Sequence, residues 1–312
     1  IDKQLIETVC KYAKPESVVI QLDNALIPRR SEKFKEIEQS IGRIAQTNAN
    51  CIIFGESGMG KEQIARQIYL QSSRTQKPIT VIEAGGAELV GLHDPKSDRN
   101  EMYNRIKSYF QNAAGGTIIL KNIQLLNFEK QSVFLHILSE EHPDVRVICT
   151  AEPELLKMVS EKRFRPNLFY ILRQVDISVA PLREVTEDIE SLADYFLTLY
   201  ANKTAQDRKR LDVSATKALK LHQWPGNVRE LKDVILFAAF HTSDNVITAS
   251  NLNFSQSEPE PETSLRLQEP EREKTKIIAA MRQAEGNKSQ AARLLGIGRS
   301  TLDYKLRQYG IK

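Results

Sequence analysis

The sequence predicts an α/β module, with a parallel sheet and flanking helices, followed by a helical lid and a C-terminal all-α helix-turn-helix domain. A glycine-rich loop at residues 55–61 lies between an apolar run and an amphipathic helical pattern, the order typical of a phosphate-binding loop. From about residue 28, short apolar runs alternate with longer helical patterns, as in a parallel sheet with crossover helices. Near the C-terminus, a glycine-containing turn separates two short helical patterns, which favours a helix-turn-helix.

The chain has 312 residues, of which 41% are hydrophobic and 27% are charged. This composition is typical of a globular protein, and the length suits two or three domains. The formal net charge is only +4, so the chain as a whole is not a polycation. Binding to nucleic acid must then depend on a local basic patch.

The three cysteines, Cys10, Cys51 and Cys149, are scattered and lack metal-ligand spacing, which favours a reducing compartment over a disulfide framework. Cys51 and Cys149 lie in apolar runs and are predicted to be buried thiols. The five histidines also lack metal spacing, so we predict no metal held by protein side chains alone. No apolar run approaches the length of a membrane span and no signal peptide opens the chain, so we expect a cytoplasmic protein without a membrane partner.

Composition and periodicity divide the chain into five segments. The first is a linker or the end of a missing upstream domain, and because the chain starts at Ile1 rather than Met we expect it to be a fragment. The segments are the linker 1–27, the α/β core 28–183, the helical lid 184–254, a flexible linker 255–270 rich in Pro, Glu and Ser, and the helix-turn-helix domain 271–312.

Buried strands are predicted where short apolar runs follow one another between helical patterns. The clearest of these runs are 51–54, 117–120, 145–150 and 175–179. Lid helices are predicted where apolar residues recur at helical spacing, over 188–202, 214–221 and 228–242.

The glycine-rich loop is predicted to bind phosphate. Its glycines let the backbone wrap around an anion, and the N-terminus of the next helix supplies free N–H groups and a partial positive charge. Lys61 would reach the outer phosphates of a nucleotide, and Glu62 replaces the hydroxyl residue that usually follows the lysine. The alternative, a glycine-rich turn without a ligand, is disfavoured by the spacing, the lysine and the flanking elements. The predicted nucleotide-binding residues here are Gly55, Glu56, Ser57, Gly58, Met59, Gly60, Lys61 and Glu62.

The strand at 117–120 ends in Lys121 and Asn122, where an ATPase should carry the acidic pair of its Walker B motif. A lysine repels Mg²⁺ instead of ligating it, and an asparagine cannot act as a general base. Phosphoryl transfer relies on metal and on positioned water. The degenerate pair therefore predicts that ATP, if it is a ligand, is bound without hydrolysis, and that the chain is not an enzyme and has no catalytic residues.

These motifs resemble those of the bacterial enhancer-binding proteins, which are AAA+ transcription activators, over roughly residues 28–312. The resemblance implies an AAA+ α/β module, a helical lid and a Fis-type helix-turn-helix domain. It makes Glu62 a family trait, Arg165 the arginine that reaches a neighbouring subunit, and Arg229 a contact to nucleotide phosphate, while Ile171 stands where a second arginine is often found. The matching segments are GESGMGKE at 55–62, RFRPNLFY at 163–170, PLRE at 181–184 and WPGNVREL at 224–231.

Two departures from the family pattern change the expected activity. Residues 89–99 (LVGLHDPKSDR) lack the motif with which the family grips its alternative sigma factor, and the acidic Walker B pair is absent. This combination resembles a biofilm regulator within the family. That resemblance implies activation with RNA polymerase holoenzyme carrying the housekeeping sigma factor, control by cyclic di-GMP, and an upstream receiver-like domain.

By similarity to a flagellar regulator of the family, the candidate contacts to cyclic di-GMP are Arg29, Arg30 and Arg66. Guanidinium groups suit this ligand because they stack on guanine and donate paired hydrogen bonds to phosphate. The alternative is that these arginines are solvated surface charges.

The tail is predicted to form three helices, over 271–284, 290–295 and 299–309, with a break at 285–288 and a cap at Ser289. The third helix would lie in the major groove of double-stranded DNA, with Leu302 and Leu306 in a small core. The alternative is a helical oligomerisation tail. The predicted DNA-binding residues are Ser300, Thr301, Tyr304 and Lys305 at or near base edges, Lys288, Arg299 and Arg307 on phosphates, and Ser289.

The sequence thus favours a DNA-binding regulator, an activator of biofilm-type genes, that is controlled by cyclic di-GMP and acts as a homo-oligomer, either a dimer or a larger assembly. Two alternatives stay open. One is an ATP-hydrolysing activator of the alternative sigma factor, and the other is a ligand-free repressor or scaffold bound to DNA.

Overall fold

The computed structural model describes residues 26–86, 89 and 99–254, and five positions of the tail: Met281, Ala284, Lys288, Leu302 and Leu306. The chain divides into two compact units at the junction of Phe254 and Ser255. Residues 1–25 and 255–270 of the predicted linkers, most of the loop at 89–99 and the DNA-contact residues other than Lys288 lie outside the described residues.

The first unit is built on a five-stranded parallel sheet with the strand order β2-β3-β4-β1-β5. Because all five strands run parallel, their carboxyl ends meet at one edge, which is where ligands bind in open α/β sheets. The strands are β1 (Cys51–Phe54), β2 (Ile79–Glu83), β3 (Thr117–Lys121), β4 (Arg146–Ala151) and β5 (Val175–Ser178).

The four strands that the sequence predicted are confirmed, with bounds that differ by at most one residue. The prediction missed β2, which lies at the edge of the sheet and pairs only with β3. Its sequence, ITVIE, begins with an exposed isoleucine and has one buried residue, Ile82. An edge strand that is half solvated lacks the continuous apolar run by which buried parallel strands are recognised.

Helices flank the sheet, and two of them begin at side chains that cap the free N–H groups of their first turn. The side chain of Ser31 caps α1 by accepting from Phe34 N, and Asn127 caps α4 by accepting from Lys130 N. No described helix is both long and apolar enough to cross a bilayer. The helices are α1 (Glu32–Ala45), α2 (Lys61–Leu70), α3 (Arg99–Asn112), α4 (Phe128–His136), which continues as a π turn over Ile137–Glu141, α5 (Glu154–Ser160) and α6 (Pro166–Leu172).

Two hydrophobic clusters form the core, because successive strand residues point to opposite faces of the sheet. Ile53 of β1 belongs to the cluster that contains α1, α2 and the lid, whereas its neighbour Ile52 belongs to the cluster of α3 to α6. The lid therefore shares its core with the strand and helix on either side of the glycine-rich loop. Cys51 and Cys149 are buried as predicted, and burial raises the pKa of Cys51 to about 12, so this thiol stays protonated.

The lid consists of α7 (Asp188–Thr204), α8 (Val213–Leu221) and α9 (Asn227–His241), which confirms the three predicted helices within two residues. A parallel pair of two-residue strands, β6 (Arg210–Leu211) and β7 (Val246–Ile247), closes it. Trp224 is fully buried, and its indole N–H donates to Leu219 O at 2.8 Å. The interpretation of Trp224 as a packing residue is therefore confirmed.

In the second unit, the buried residues include Leu302 and Leu306, as predicted for the core of the tail. The predicted helix bounds are wrong at two positions, since Ala284 lies in a turn and Lys288 is helical. Ser289, the predicted cap, lies outside the described residues.

Candidate phosphate-binding site

A cavity of about 660 Å³ lies at the carboxyl edge of the sheet, between the glycine-rich loop and the lid. Its walls come from four separate parts of the first unit: the segment before α1, the loop with α2, the carboxyl ends of β2, β3 and β4, and the lid. Five of its side chains are basic and two are acidic. The lining residues are Ile27, Ser57, Gly58, Met59, Gly60, Lys61, Glu62, Gln63, Arg66, Glu83, Lys121, Asn122, Thr150, Phe196, Val228, Arg229 and Lys232.

The glycine-rich loop has the backbone that its sequence predicts. Gly58 and Gly60 adopt positive φ angles of 81° and 84°, in the left-handed region that favours glycine. Gly60 is the N-cap of α2, which begins at Lys61, so the free N–H groups of the first turn lie against the cavity. A helix N-terminus of this kind attracts anions through its N–H groups and its dipole.

Lys61 is held against its own loop. Its ammonium donates to Gly55 O at 2.7 Å and to Glu56 O at 2.9 Å, and the residue is only 7% exposed. Burial lowers the pKa of Lys61, and the nearby Glu152 opposes this effect. The predicted phosphate-binding lysine thus lies in the cavity wall with its position fixed by two backbone carbonyl groups.

The lid contacts the loop through hydrogen bonds on both sides of Ser57. The carboxylate of Glu56 accepts from Arg183 at 2.8 and 2.5 Å and from Asn227 Nδ2 at 3.1 Å. These hydrogen bonds, above all the one from Arg183, lower the pKa of Glu56 despite partial burial. The backbone N–H of Arg229 donates to Gly58 O at 3.3 Å, which brings the side chain of Arg229 into the cavity lining.

Lys121 and Asn122, which the sequence analysis predicted to be a degenerate pair, both line the cavity. The ammonium of Lys121 forms ion pairs with Glu62 and Glu83, each at 3.1 Å. Burial disfavours the charged ammonium, but the hydrogen bonds to the two carboxylates outweigh it and raise the pKa of Lys121. Asn122 adopts a left-handed φ of 54° and donates from Nδ2 to Glu83 Oε1 at 2.9 Å.

This arrangement does not fit the magnesium ion that a nucleotide-hydrolysing site requires. Mg²⁺ needs carboxylate or water oxygens in near-octahedral geometry. The two carboxylates of the cavity, Glu62 and Glu83, already accept from Lys121, and Glu62 also pairs with Arg66 at 2.9 Å. The ammonium of Lys121 lies between the two groups that would have to bind the metal.

The three candidate arginines for cyclic di-GMP lie in different environments. Arg29 donates to Met59 O at 2.9 Å and lies over the Phe34 ring at 4.3 Å, so the solvated alternative is wrong for this residue. Burial lowers the pKa of Arg29 to about 10. Arg66 lines the cavity, whereas the exposed Arg30 is held through its backbone N–H, which donates to Asp188.

Arg165, predicted to reach a neighbouring subunit, lies outside the cavity lining of its own chain. Its guanidinium lies 3.8 Å from the centre of the Phe128 ring, which is 51% exposed. The buried Gln131 positions it, because Gln131 Oε1 accepts from Arg165 N at 2.8 Å and Nε2 donates to Leu126 O at 2.8 Å. A glutamine inside α4 gave no sign of this role in the sequence.

The sequence also missed several lining residues, among them Glu83, Thr150 and Lys232. Glu83 and Thr150 lie at the carboxyl ends of parallel strands, and Thr150 Oγ1 accepts from Asn122 N at 3.0 Å. The topology would have indicated both residues once β2 and the strand order were known. Lys232 lies three residues after Arg229 on α9, so helical spacing places the two on one face.

Three family models match the chain in succession. The sigma-54 interaction domain matches residues 27–178, the AAA+ ATPase lid domain matches residues 183–268, and the bacterial regulatory protein, Fis family, matches residues 270–309. Together they span both compact units in the order that the motifs predicted.

Curated relatives share this arrangement. The regulatory protein AtoC of Escherichia coli (strain K12) is 32% identical over 90% of this chain and 67% of its own length. The nitrogen fixation protein AnfA of Azotobacter vinelandii is 31% identical over 90% of this chain. The chain spans 57% of the length of AnfA.

A solved structure extends the likeness to three dimensions. NtrX from Brucella abortus in complex with ATP is 26% identical, with a TM-score of 0.65, over 98% of this chain and 72% of that chain.

Proposed function

The chain belongs to the bacterial enhancer-binding protein family, and on this basis we propose that it is a DNA-binding transcription regulator whose AAA+ module senses a nucleotide instead of hydrolysing it. In this proposal, cyclic di-GMP is the controlling ligand, and ATP is a ligand that stays intact. The Fis-type tail binds double-stranded DNA, and RNA polymerase holoenzyme is the partner at the promoter.

One observation carries the absence of hydrolysis: the ammonium of Lys121 lies between Glu62 and Glu83 at the carboxyl end of β3. Hydrolysis requires a metal ion and a base that activates water. At the positions where the family pattern has its acidic pair, this chain has a cation and an amide. The phosphate-binding loop is nevertheless complete, with its two left-handed glycines and a buried lysine.

The charge of the cavity supports an anionic ligand. Five basic side chains line it against two acidic ones, and both acidic groups are already paired with Lys121. Arg29 donates to Met59 O, just before the start of α2, and Arg66 donates to Glu62 Oε1 in its first turn. Guanidinium groups in such positions suit the phosphates and guanine bases of cyclic di-GMP.

The regulator needs a coupling between ligand and DNA. Asn227 of the lid donates to Glu56 of the loop. The neighbouring residues Ser57 and Arg229 both line the cavity, so a ligand there touches both the loop and the lid. A ligand that binds more tightly to one arrangement of loop and lid would favour that arrangement in a homo-oligomer. The spacing of the DNA-binding tails would change with it.

We expect cyclic di-GMP to bind and to raise promoter affinity. The measurement is calorimetric titration with cyclic di-GMP, followed by footprinting on promoter DNA with and without it. Arg66→Ala should weaken cyclic di-GMP binding about tenfold, since a charged hydrogen-bond donor contributes roughly 1.5 kcal/mol or more. The matched control is Arg43→Ala on the exposed end of α1, which should behave as wild type. Absence of heat together with an unchanged footprint would reject cyclic di-GMP as the ligand.

A second candidate function is an ATP-hydrolysing activator that acts on sigma-54. Two observations favour it: the match to the sigma-54 interaction domain over residues 27–178, and a carboxylate, Glu83, in the cavity wall. Glu83 accepts from Lys121 and Asn122, which lowers its availability as a base. This candidate requires ATP turnover. If no turnover is measured, the non-hydrolysing regulator is the better explanation.

A further inference from the structure

We propose that the ammonium of Lys121 replaces the divalent cation of this cavity, so that the site binds a phosphate-bearing ligand without metal. The inference rests on the proposed phosphate-binding role of the loop. A site that does not hydrolyse ATP could still bind it with magnesium or without it, and the two cases differ in what neutralises the charge of the phosphates.

All four oxygens of the two cavity carboxylates have a nitrogen partner. Glu62 pairs through Oε1 with Arg66 at 2.9 Å and through Oε2 with Lys121 at 3.1 Å. Glu83 accepts through Oε1 from Asn122 at 2.9 Å and pairs through Oε2 with Lys121 at 3.1 Å. These contacts form a continuous chain from α2 across the carboxyl ends of β3 and β2.

A divalent ion could enter this chain only by breaking it. Its ligands would have to be the oxygens that now hold Lys121, and the ion would then lie beside an ammonium group. Like charges at such distances repel strongly in a partly buried site. The network thus selects against a metal as well as lacking the usual ligands for one.

The same ammonium can neutralise part of the phosphate charge that a metal ion would otherwise neutralise. Lys121 is charged, since its two carboxylate partners raise its pKa. It faces the same cavity as Lys61 and Arg229, so the positive charge that a phosphate group needs is supplied by side chains. A lysine ammonium binds phosphate as a point charge with three donors. The ligand is therefore taken up as the free anion and not as its magnesium complex.

Equilibrium dialysis of labelled ATP against the full chain tests this, in buffer with excess EDTA and in buffer with excess MgCl₂. We expect wild-type protein to bind ATP at least as tightly in EDTA as in MgCl₂. Lys121→Met should bind ATP about tenfold more weakly in EDTA, because the two carboxylates then face the phosphates without the ammonium that neutralises them. Magnesium should restore part of that loss, since Glu62 and Glu83 are released to hold it. Lys121→Arg keeps the charge and should stay independent of metal.

Lys107→Met is the matched control. Lys107 forms an ion pair with Glu141 at 2.9 Å, with a side-chain exposure of 35% against 27% for Lys121, and it lies outside the cavity lining. It should bind ATP as wild type does. Thermal unfolding of each variant shows whether a loss of binding reflects a loss of fold.

Three results would overturn the proposal: wild-type protein that needs magnesium to bind ATP, protein that binds ATP in neither buffer, and a folded Lys121→Met variant that binds like wild type in EDTA. A phosphate-release assay distinguishes a failure of metal-free binding from a failure of the proposed function, which is binding without hydrolysis. Turnover in MgCl₂ with full binding in EDTA would reject only the lack of hydrolysis. Binding that requires magnesium, without turnover, would reject only the metal-free site.

Discussion

Replacing Gly58 with alanine is expected to lower the free energy of unfolding by about 4 kcal/mol, the upper range for a single substitution. A Cβ at this position would lie 2.1 Å from Gly226 O, a backbone atom of the lid that cannot rotate away. The φ of 81° adds the strain of a left-handed alanine. Relief requires loop and lid to separate, which breaks the hydrogen bond from Arg229 N to Gly58 O. Denaturant unfolding, monitored by circular dichroism, measures the change.

Gly60→Ala separates backbone strain from the lid contact. Its φ of 84° is nearly the same, but its Cβ would meet no atom closer than 3.4 Å, the end of the flexible Gln63 side chain. It should lose about 1–2 kcal/mol, the strain alone. If the two variants lose equal stability, the close approach of loop and lid at Gly58 is not present in solution.

Replacing Asp188 with alanine is expected to lower the free energy of unfolding by about 3 kcal/mol, because it removes a buried charged acceptor from several donors. Asp188 is fully buried at the start of α7. Oδ1 accepts from Arg30 N at 2.7 Å and Ser31 N at 2.6 Å, and Oδ2 accepts from Ser31 Oγ at 2.7 Å. The carboxylate therefore fixes the segment before α1 to the lid, and it lies at a helix N-terminus, where negative charge is favoured.

Two controls define what this loss means. Asp188→Asn keeps one acceptor oxygen in place and should retain part of the stability. Asp194→Ala, on the same helix, removes a carboxylate that is 55% exposed and paired with Arg208, and should change stability by less than about 0.5 kcal/mol. Equal losses for Asp188→Ala and Asp194→Ala would contradict the account of Asp188 as the link between the two parts.

The features that sequence predicted best are those coded by neighbouring residues. Buried strands such as Cys51–Phe54 are continuous apolar runs. The loop that follows is recognised by the spacing of its glycines and by its lysine. Lys121 and Asn122 line the cavity because the strand before them ends at the carboxyl edge of the sheet. The lid helices followed from apolar periodicity alone.

What the sequence could not give is the pairing between distant segments. The partners of Lys121 come from α2 and from the edge strand β2, and only the folded sheet brings Glu62 and Glu83 together. Asp188 looked like an ordinary first-turn acid, and its role depends on the segment that it holds 157 residues away in sequence. Arg29 and Arg30 are adjacent and chemically identical, yet Arg29 donates to Met59 O of the loop and Arg30 is exposed. The direction of the backbone at each residue decides this difference, and the sequence does not reveal it.

The most direct test of the central claim is phosphate release from ATP by the purified chain in the presence of magnesium, compared with Lys61→Ala. We expect no release above the Lys61→Ala background, because the ammonium of Lys121 cannot ligate magnesium and the amide of Asn122 cannot act as a base. Steady magnesium-dependent turnover by wild-type protein that Lys61→Ala abolishes would contradict it.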